Sequence, residues 1–243
     1  MNELDLFSGL EGASVGFKER GHKVVSVDMD PSFKPTIVAD LFELRVEELE
    51  PYGPFDFVWA SPPCQHFSVM TISKCWTPEG EPKDCAKDAL ELVARTLALI
   101  KALRPRAWIL ENPVGMLRAQ RFMRAYERRT VTYCKYGFPY RKATDLWGGF
   151  PPNLRFKRPC RNGDSCHVAA PAGSKRGVQS DTSGMDRMGR TLKALVPERD
   201  IPRTAWRALV PPQLSRDVCT ALEAWNGRWA PPIDIAGSQG DER

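Results

Sequence analysis

The chain has 243 residues, 42% hydrophobic and 27% charged, a globular composition that excludes a wholly disordered chain. No run of about 18 apolar residues occurs, so no membrane span is expected, and the acidic start Met1-Asn2-Glu3-Leu4-Asp5 has no secretory-signal character. The net charge of +5 is unevenly spread: residues 1–117 carry −6, residues 118–199 carry +12 and residues 200–243 carry −1, which points to a basic face for a polyanion.

Residues 3–7 read as a short strand ending in a glycine-bearing turn, and residues 14–20 as a helix stopped by Gly21. Residues 23–27 form a β-branched strand ending at Asp28, residues 36–38 a short one ending near Asp40, and residues 55–60 one ending at Ser61-Pro62-Pro63. Residues 86–103 make the clearest helix, with Ala86, Ala89, Leu90, Val93, Leu97 and Ile100 on one face and Pro105 as its stop. Residues 107–110 are the next strand, ending at Glu111-Asn112. This alternation predicts an α/β fold with a parallel sheet and helices on both faces, where ligands bind beyond the carboxyl ends of the strands. From about Phe150 the pattern breaks into a loop-rich stretch, and residues 212–225 read as a helix with Leu214, Val218, Leu222 and Trp225 on one face. The expected organisation is a catalytic domain over residues 1–149 completed by 200–225, a small basic region over 150–199, and a frayed tail over 226–243. Seven cysteines without an export signal are expected as reduced thiols in a cytoplasmic protein.

The polar clusters fall at the strand ends. Phe7-Ser8-Gly9-Leu10-Glu11-Gly12 closes the first strand and opens a helix, so its glycines let backbone N–H groups approach a ligand. With glycines at 9, 12 and 16 it is not the dinucleotide fingerprint. Asp28, followed by Met29, suits ribose hydroxyls, and Asp40, followed by Leu41, suits an adenine amino group; together they point to an adenosine-containing cofactor. Cys64 lies in Ser61-Pro62-Pro63-Cys64-Gln65, a proline-stiffened loop where a thiol can be tuned as a nucleophile; the alternative is a buried, inert cysteine. Glu111 borders the same crevice. A thiol and a nearby acid can add to a heteroaromatic ring, the thiol attacking a carbon while the acid protonates a ring nitrogen. The alternative for Glu111 is a carboxylate capping the turn at Gly115. Gln65 and Ser68 flank the cysteine as candidate DNA contacts, and Arg155, Lys157, Arg158, Arg161, Lys175 and Arg176 are candidates for phosphate or guanine-edge contacts. Cys160, Cys166 and His167 offer three metal ligands in poor zinc spacing, two of them adjacent; a fourth would have to come from elsewhere, and no metal is expected.

Taken in order, these motifs resemble those of the DNA cytosine-C5 methyltransferases. The resemblance rests on Phe7, Gly9 and Gly12, on Pro63-Cys64-Gln65, on Glu111-Asn112, on Tyr136-Gly137-Phe138-Pro139 and on Val210-Pro211-Pro212 with Leu214. It implies a Rossmann-like S-adenosylmethionine-dependent methyltransferase fold with a small loop-rich target-recognition insert. It also implies that Cys64 attacks C6 of a flipped cytosine, that Glu111 holds and protonates N3, and that Phe7, Ser8, Gly9, Leu10, Gly12, Asp28, Met29, Asp40, Leu41 and Pro62 surround S-adenosylmethionine. The implied partner is double-stranded DNA, the implied setting DNA methylation or restriction–modification in a bacterium or phage-infected cell, and a monomer is expected. Glu11 stands where a glycine is usual, Pro113 where a valine is, and Lys142 and Thr144 where the family has an Arg-x-Arg pair. Lys142 donates as a point charge, and Arg141 is the candidate to supply the missing charge. Arg207 and Ala208 replace a Gly-Asn pair, which opens the alternative of carboxymethyl transfer from carboxy-S-adenosylmethionine. Two further alternatives are a catalytically silent DNA-binding homologue and an enzyme acting on RNA.

Overall fold

The computed structural model describes residues 1–68, 72–138, 140–161, 164–167, 205 and 208–227. Among these residues, seven strands build one sheet: β1 (Asn2–Leu6), β2 (Lys23–Asp28), β3 (Ile37–Val38), β4 (Phe57–Ala60), β5 (Ala107–Pro113), β6 (Glu127–Thr132) and β7 (Ala143–Gly149). Their order across the sheet is β3-β2-β1-β4-β5-β7-β6. β1 to β5 pair in parallel, as the alternation predicts. β7 runs antiparallel to both β5 and β6, beyond the strands whose alternation predicts parallel pairing.

Neither β6 nor β7 reads as a strand in the sequence, for physical reasons. Glu127, Arg128 and Arg129 open β6 as exposed residues at the sheet edge, and charged edges carry no apolar alternation. β7 ends in Gly148-Gly149, which reads as a turn. A Cβ on Gly148 would lie 2.0 Å from the Trp108 carbonyl oxygen, so this is a close backbone approach inside a strand.

Side chains alternate across each strand. Leu4 and Leu6 of β1, Val58 and Ala60 of β4, and Trp108 and Leu110 of β5 share one core with Ala86, Val93, Leu97 and Ile100 of the long helix Asp84–Leu103. With α1 (Val15–Glu19), α2 (Val46–Leu49) and α3 (Ile72–Cys75) before it, that helix is α4. Phe57, Trp59, Ala107 and Ile109 point to the other face and pack with Phe17 of α1 and with Leu214, Val218 and Leu222 of α5 (Pro212–Glu223). Burying those three α5 side chains stabilises by roughly 5–9 kcal/mol. The exposed Arg216–Glu19 ion pair at 2.7 Å contributes about 1 kcal/mol at most, so the apolar stripe seats α5. The seat is tight: a Cβ on Gly16 would come within 2.6 Å of the Arg216 backbone nitrogen, and the Gly16 N–H donates to Ser215 Oγ at 2.9 Å.

Two acids break the apolar pattern. Glu3 and Asp5 alternate with Leu4 and Leu6 and are buried. Burial pushes the Asp5 carboxyl up to about 7, opposed by the Ser14 hydroxyl that donates to it at 2.8 Å. Burial, with Asp5 beside it, pushes Glu3 well above the usual carboxylate range.

Cys75 and Cys85 are joined in a disulfide, which corrects the expectation that every cysteine is a thiol. The chain between them doubles back, with Lys83 N–H donating to the Cys75 carbonyl at 2.9 Å and Trp76 bridging Pro82, and this brings the two sulfurs together. Residues 151–161 contain neither helix nor strand. Residues 168–204 and the expected tail from 228 lie outside the described residues. Among the described residues, no helix is long and apolar enough to cross a membrane.

Candidate active site

Sheet register builds the site. Leu6 pairs with Val27 and with Ala60, and Ala60 pairs with Leu110. The residues one step beyond, Phe7, Asp28, Ser61 and Glu111, therefore line up along the carboxyl edge of the parallel strands, where open α/β sheets take their ligands.

One wall of this edge is made mainly by backbone. Phe7, Gly9 and Glu11 have φ of 60°, 47° and 56°, so left-handed residues recur at every second position and fold the turn back on itself. Phe7 and Glu11 each carry roughly 1–3 kcal/mol of strain for this. The family pattern's usual glycine at position 11 is explained by that φ. Gly9 N–H donates to Asp28 Oδ2 at 2.9 Å, and Asp28 Oδ1 accepts from Asp30 N–H at 2.9 Å. Asp40 Oδ1 accepts from Phe42 N–H at 2.9 Å. Met29 and Val38 leave 67% and 56% of their surface in water, an unusual exposure for large apolar side chains set between two carboxylates. Among the described residues, the buried Ser8 hydroxyl has no hydrogen-bond partner, and a Cβ on Gly9 would meet nothing within 4 Å. Two carboxylates, exposed apolar faces, an orphaned hydroxyl and open space beside the turn fit an adenosine-containing cofactor. Leu10 is half-buried beside the turn, while Leu41 is buried in the core and Pro62 is buried. Gly12 has another occupant: its Cβ would lie 2.3 Å from the Val210 carbonyl oxygen, so the Val-Pro-Pro segment takes that space.

The opposite wall is made by side chains. Asn112 Nδ2 donates to the Pro62 carbonyl at 3.0 Å and ties the Pro-Pro-Cys loop to the end of β5. Met116 N–H donates to the Phe67 carbonyl at 2.8 Å, and Ser68 bridges Gly115. A side chain at Gly115 would not fit, since its Cβ would come 2.0 Å from the Phe67 oxygen. The loop is thus clamped at both ends, and Cys64 sits half-buried between the clamps. Burial pushes its thiol up, the Lys142 ammonium pulls it down and the Glu111 carboxylate pushes it up again, so all three groups feel one another. Glu111 Oε1 accepts from the Tyr133 hydroxyl at 2.7 Å and lies 3.6 Å from Lys142 Nζ. Lys142 Nζ stands 4.6 Å from the centre of the Tyr133 ring. Burial and the Glu111 charge push the Tyr133 hydroxyl well above its ordinary range, so it remains a donor.

The structure therefore brings Cys64, Glu111 and Lys142 together. Sequence reasoning missed Tyr133, whose contact with Glu111 depends on the antiparallel turn after β6, and gave Asn112 no role of its own. Thr144 is buried on β7 opposite Pro113. Arg141 lies beside the Cys160 sulfur. Of the candidate DNA contacts, Gln65, Arg155, Lys157, Arg158 and Arg161 are exposed and Ser68 is half-buried. Lys157 Nζ stands 4.9 Å over the Tyr136 ring, and Arg155 donates to the Leu154 carbonyl at 3.3 Å. Lys175, Arg176 and Arg207 lie outside the described residues. Arg118, part of the basic stretch, turns inward and holds buried Asp145 through two bonds of 2.8 and 2.6 Å. Beside Cys160, Cys166 and His167 stands a fourth potential metal ligand, Cys134, which the spacing alone does not supply.

A family model described as C-5 cytosine-specific DNA methylase matches residues 1–139. The chain is 32% identical over 200 residues to a Frog virus 3 (isolate Goorha) protein described as a "Probable DNA (cytosine-5)-methyltransferase", covering 75% of this chain and 91% of that one. It is 27% identical over 123 residues to the Type II methyltransferase M.HgiCI of Herpetosiphon aurantiacus, covering 46% of this chain and 27% of that one. Among solved structures, the Entamoeba histolytica methyltransferase EhMeth superposes with a TM-score of 0.55 at 11% identity, covering 92% of this chain and 98% of that one, a likeness of fold.

Proposed function

Because the chain belongs to the C-5 cytosine-specific DNA methylase family, we propose that it methylates C5 of a cytosine in double-stranded DNA through a covalent adduct on Cys64. The observation that carries this reading is that Tyr133 and Lys142 hold Glu111, and that the Glu111 and Lys142 charges both act on the Cys64 thiol.

Cys64, as thiolate, adds to C6 of the pyrimidine, and the ring nitrogen N3 takes a proton at the Glu111 carboxyl, leaving C5 electron-rich. Tyr133 donates to Glu111 and Lys142 stands beside it at 3.6 Å, so the carboxyl is held in one orientation before the base arrives. S-adenosylmethionine, when bound, supplies an electrophilic methyl group. Gly9, Ser8, Asp28, Met29 and Asp40 are the residues that would hold it, with Phe7 and Leu10 beside them. Loss of the C5 proton to solvent then expels the Cys64 thiolate, and N3 returns its proton to Glu111. The target carbon is inaccessible inside a duplex, so the base must leave the stack. Arg155, Lys157, Arg158 and Arg161 would meet phosphates, with affinity falling steeply as salt rises. The setting we infer is a monomer in the cytoplasm of a bacterium or phage-infected cell.

The test is mass analysis of nucleosides from DNA and RNA of cells expressing the protein, beside the Cys64→Ser variant. The expected result is 5-methylcytosine in DNA that the variant loses by a factor on the order of 10³ or more. Modification confined to RNA, a carboxymethylated base, or unmodified DNA despite tight DNA binding would each replace this reading by a different one.

A further inference from the structure

Cys134 lies in the turn Tyr133–Tyr136 that follows β6. The chain returns to this turn 26 residues later. There Cys160 N–H donates to Thr132 Oγ1 at 3.0 Å, which docks the returning segment on the end of β6. Residues 164–167 then curl over the same spot: Asp164 accepts from Arg161 N–H at 3.0 Å and stands 3.5 Å from Lys135 Nζ. The result is a compact group of three sulfurs and one imidazole nitrogen. Their ligand atoms all lie within 4.8 Å of one another, with Cys134, Cys160 and His167 buried and Cys166 half-buried.

The separations have the dimensions of a metal tetrahedron. A zinc ion bound at its usual distances sets edges of about 3.8 Å between sulfurs and about 3.6 Å between sulfur and nitrogen. Cys134 and Cys166 sulfurs are 3.7 Å apart, and His167 Nδ1 is 3.5 Å from Cys166 and 3.8 Å from Cys160; the Cys134–Cys160 edge, at 3.2 Å, must open, and the remaining two edges are within 4.8 Å. Thiols are weak hydrogen-bond partners for one another, so hydrogen bonding alone is a poor reason to gather four such groups. A disulfide between Cys134 and Cys160 would account for two of them and leave Cys166 and His167 without a role.

We propose that Cys134, Cys160, Cys166 and His167 form a structural zinc site. Three thiolates and an imidazole are a soft donor set that selects zinc over the hard oxygen-seeking cations. Four protein ligands close the shell and leave no position for a substrate, so the ion's role is to hold the chain. On binding, the three thiols release their protons to solvent; zinc keeps its charge and nothing is oxidised. The bound site carries a net charge of −1, and Arg141 and Lys135 lie beside Cys160 and Cys166 to balance it. Zinc clasps the returning segment to the turn whose first residue, Tyr133, donates to Glu111. It anchors a stretch that has no helix or strand of its own to the catalytic wall.

The experiment uses the full chain. Elemental mass spectrometry of desalted protein should find one zinc per chain, and protein reconstituted with cobalt should show the intense visible bands of tetrahedral thiolate coordination. Cys134→Ser and Cys166→Ser should lose the zinc, while Cys219→Ser and Cys75→Ser should keep it. Because a ligand variant can fail to fold, the wild-type stoichiometry and cobalt spectrum decide independently. Wild-type chain that takes up no zinc from excess, an octahedral cobalt spectrum, or zinc retained by a folded Cys134→Ser/Cys166→Ser double variant would each overturn the proposal.

Discussion

The two walls of the crevice are held by different means. On the cofactor side, the contacts run through backbone: Gly9 N–H to Asp28, Asp30 N–H to Asp28 and Phe42 N–H to Asp40. On the base side they run through side chains: Tyr133 to Glu111, Lys142 beside Glu111, and Asn112 to the cysteine loop. Backbone contacts are insensitive to the identity of the donor residue, while the turn that presents the Gly9 N–H demands unusual φ values at Phe7, Gly9 and Glu11. Side-chain contacts demand particular residues. Substitutions on the first wall should therefore act on folding and cofactor affinity, and those on the second on the chemical step.

The largest effect is expected on the side-chain wall. Glu111→Gln keeps the shape but removes the acid, and kcat should fall by about 10²–10⁴-fold in a tritium-transfer assay. A variant with normal kcat would break the contrast between the walls. Tyr133→Phe removes one hydrogen bond to a charged group, a loss of about 1.5–3 kcal/mol. That corresponds to roughly ten- to a hundredfold in kcat, with KM for the cofactor unchanged.

On the backbone wall, Gly12→Ala drives a Cβ against the Val210 carbonyl. It should lower unfolding stability by about 1–3 kcal/mol in a urea titration, and the folded fraction should still bind the cofactor. Lost binding at unchanged stability would instead make Gly12 a contact residue. A further prediction concerns the acids beneath that wall. Asp5 has its folded value raised to about 7, against about 4 unfolded. Its contribution to stability is therefore fully present below about pH 4 and lost as pH rises through about 7. Wild type should gain thermal stability relative to Asp5→Asn when the pH is lowered from about 8 to about 5. A constant difference between the two proteins across that range would show that Asp5 ionises normally.

The strands and helices of the first half were legible because their side chains face one buried layer. Leu4, Leu6, Val58 and Ala60 alternate cleanly with residues of the opposite face, and α4 repeats its apolar face over five turns. Cys64 and Glu111 could be singled out because both lie at the carboxyl ends of parallel strands, Cys64 in the loop after β4 and Glu111 one step past the last parallel pair of β5. β6 and β7 were not legible: charge at an edge and glycine at a close approach hide the alternation. Everything that depends on this antiparallel pair was hidden with it, including Tyr133 against Glu111 and Cys134 beside Cys160.

By itself, the sequence determined the parallel core, the crevice at its carboxyl edge and the family to which the motifs point, because period and strand-end residues are local properties of the chain. Only the tertiary structure decided which side chain orients Glu111, why Gly12 must lack a Cβ, and that Cys134 stands with three ligands more than 20 residues away. Those facts depend on how distant segments meet in space, and spacing along the chain carries no information about that.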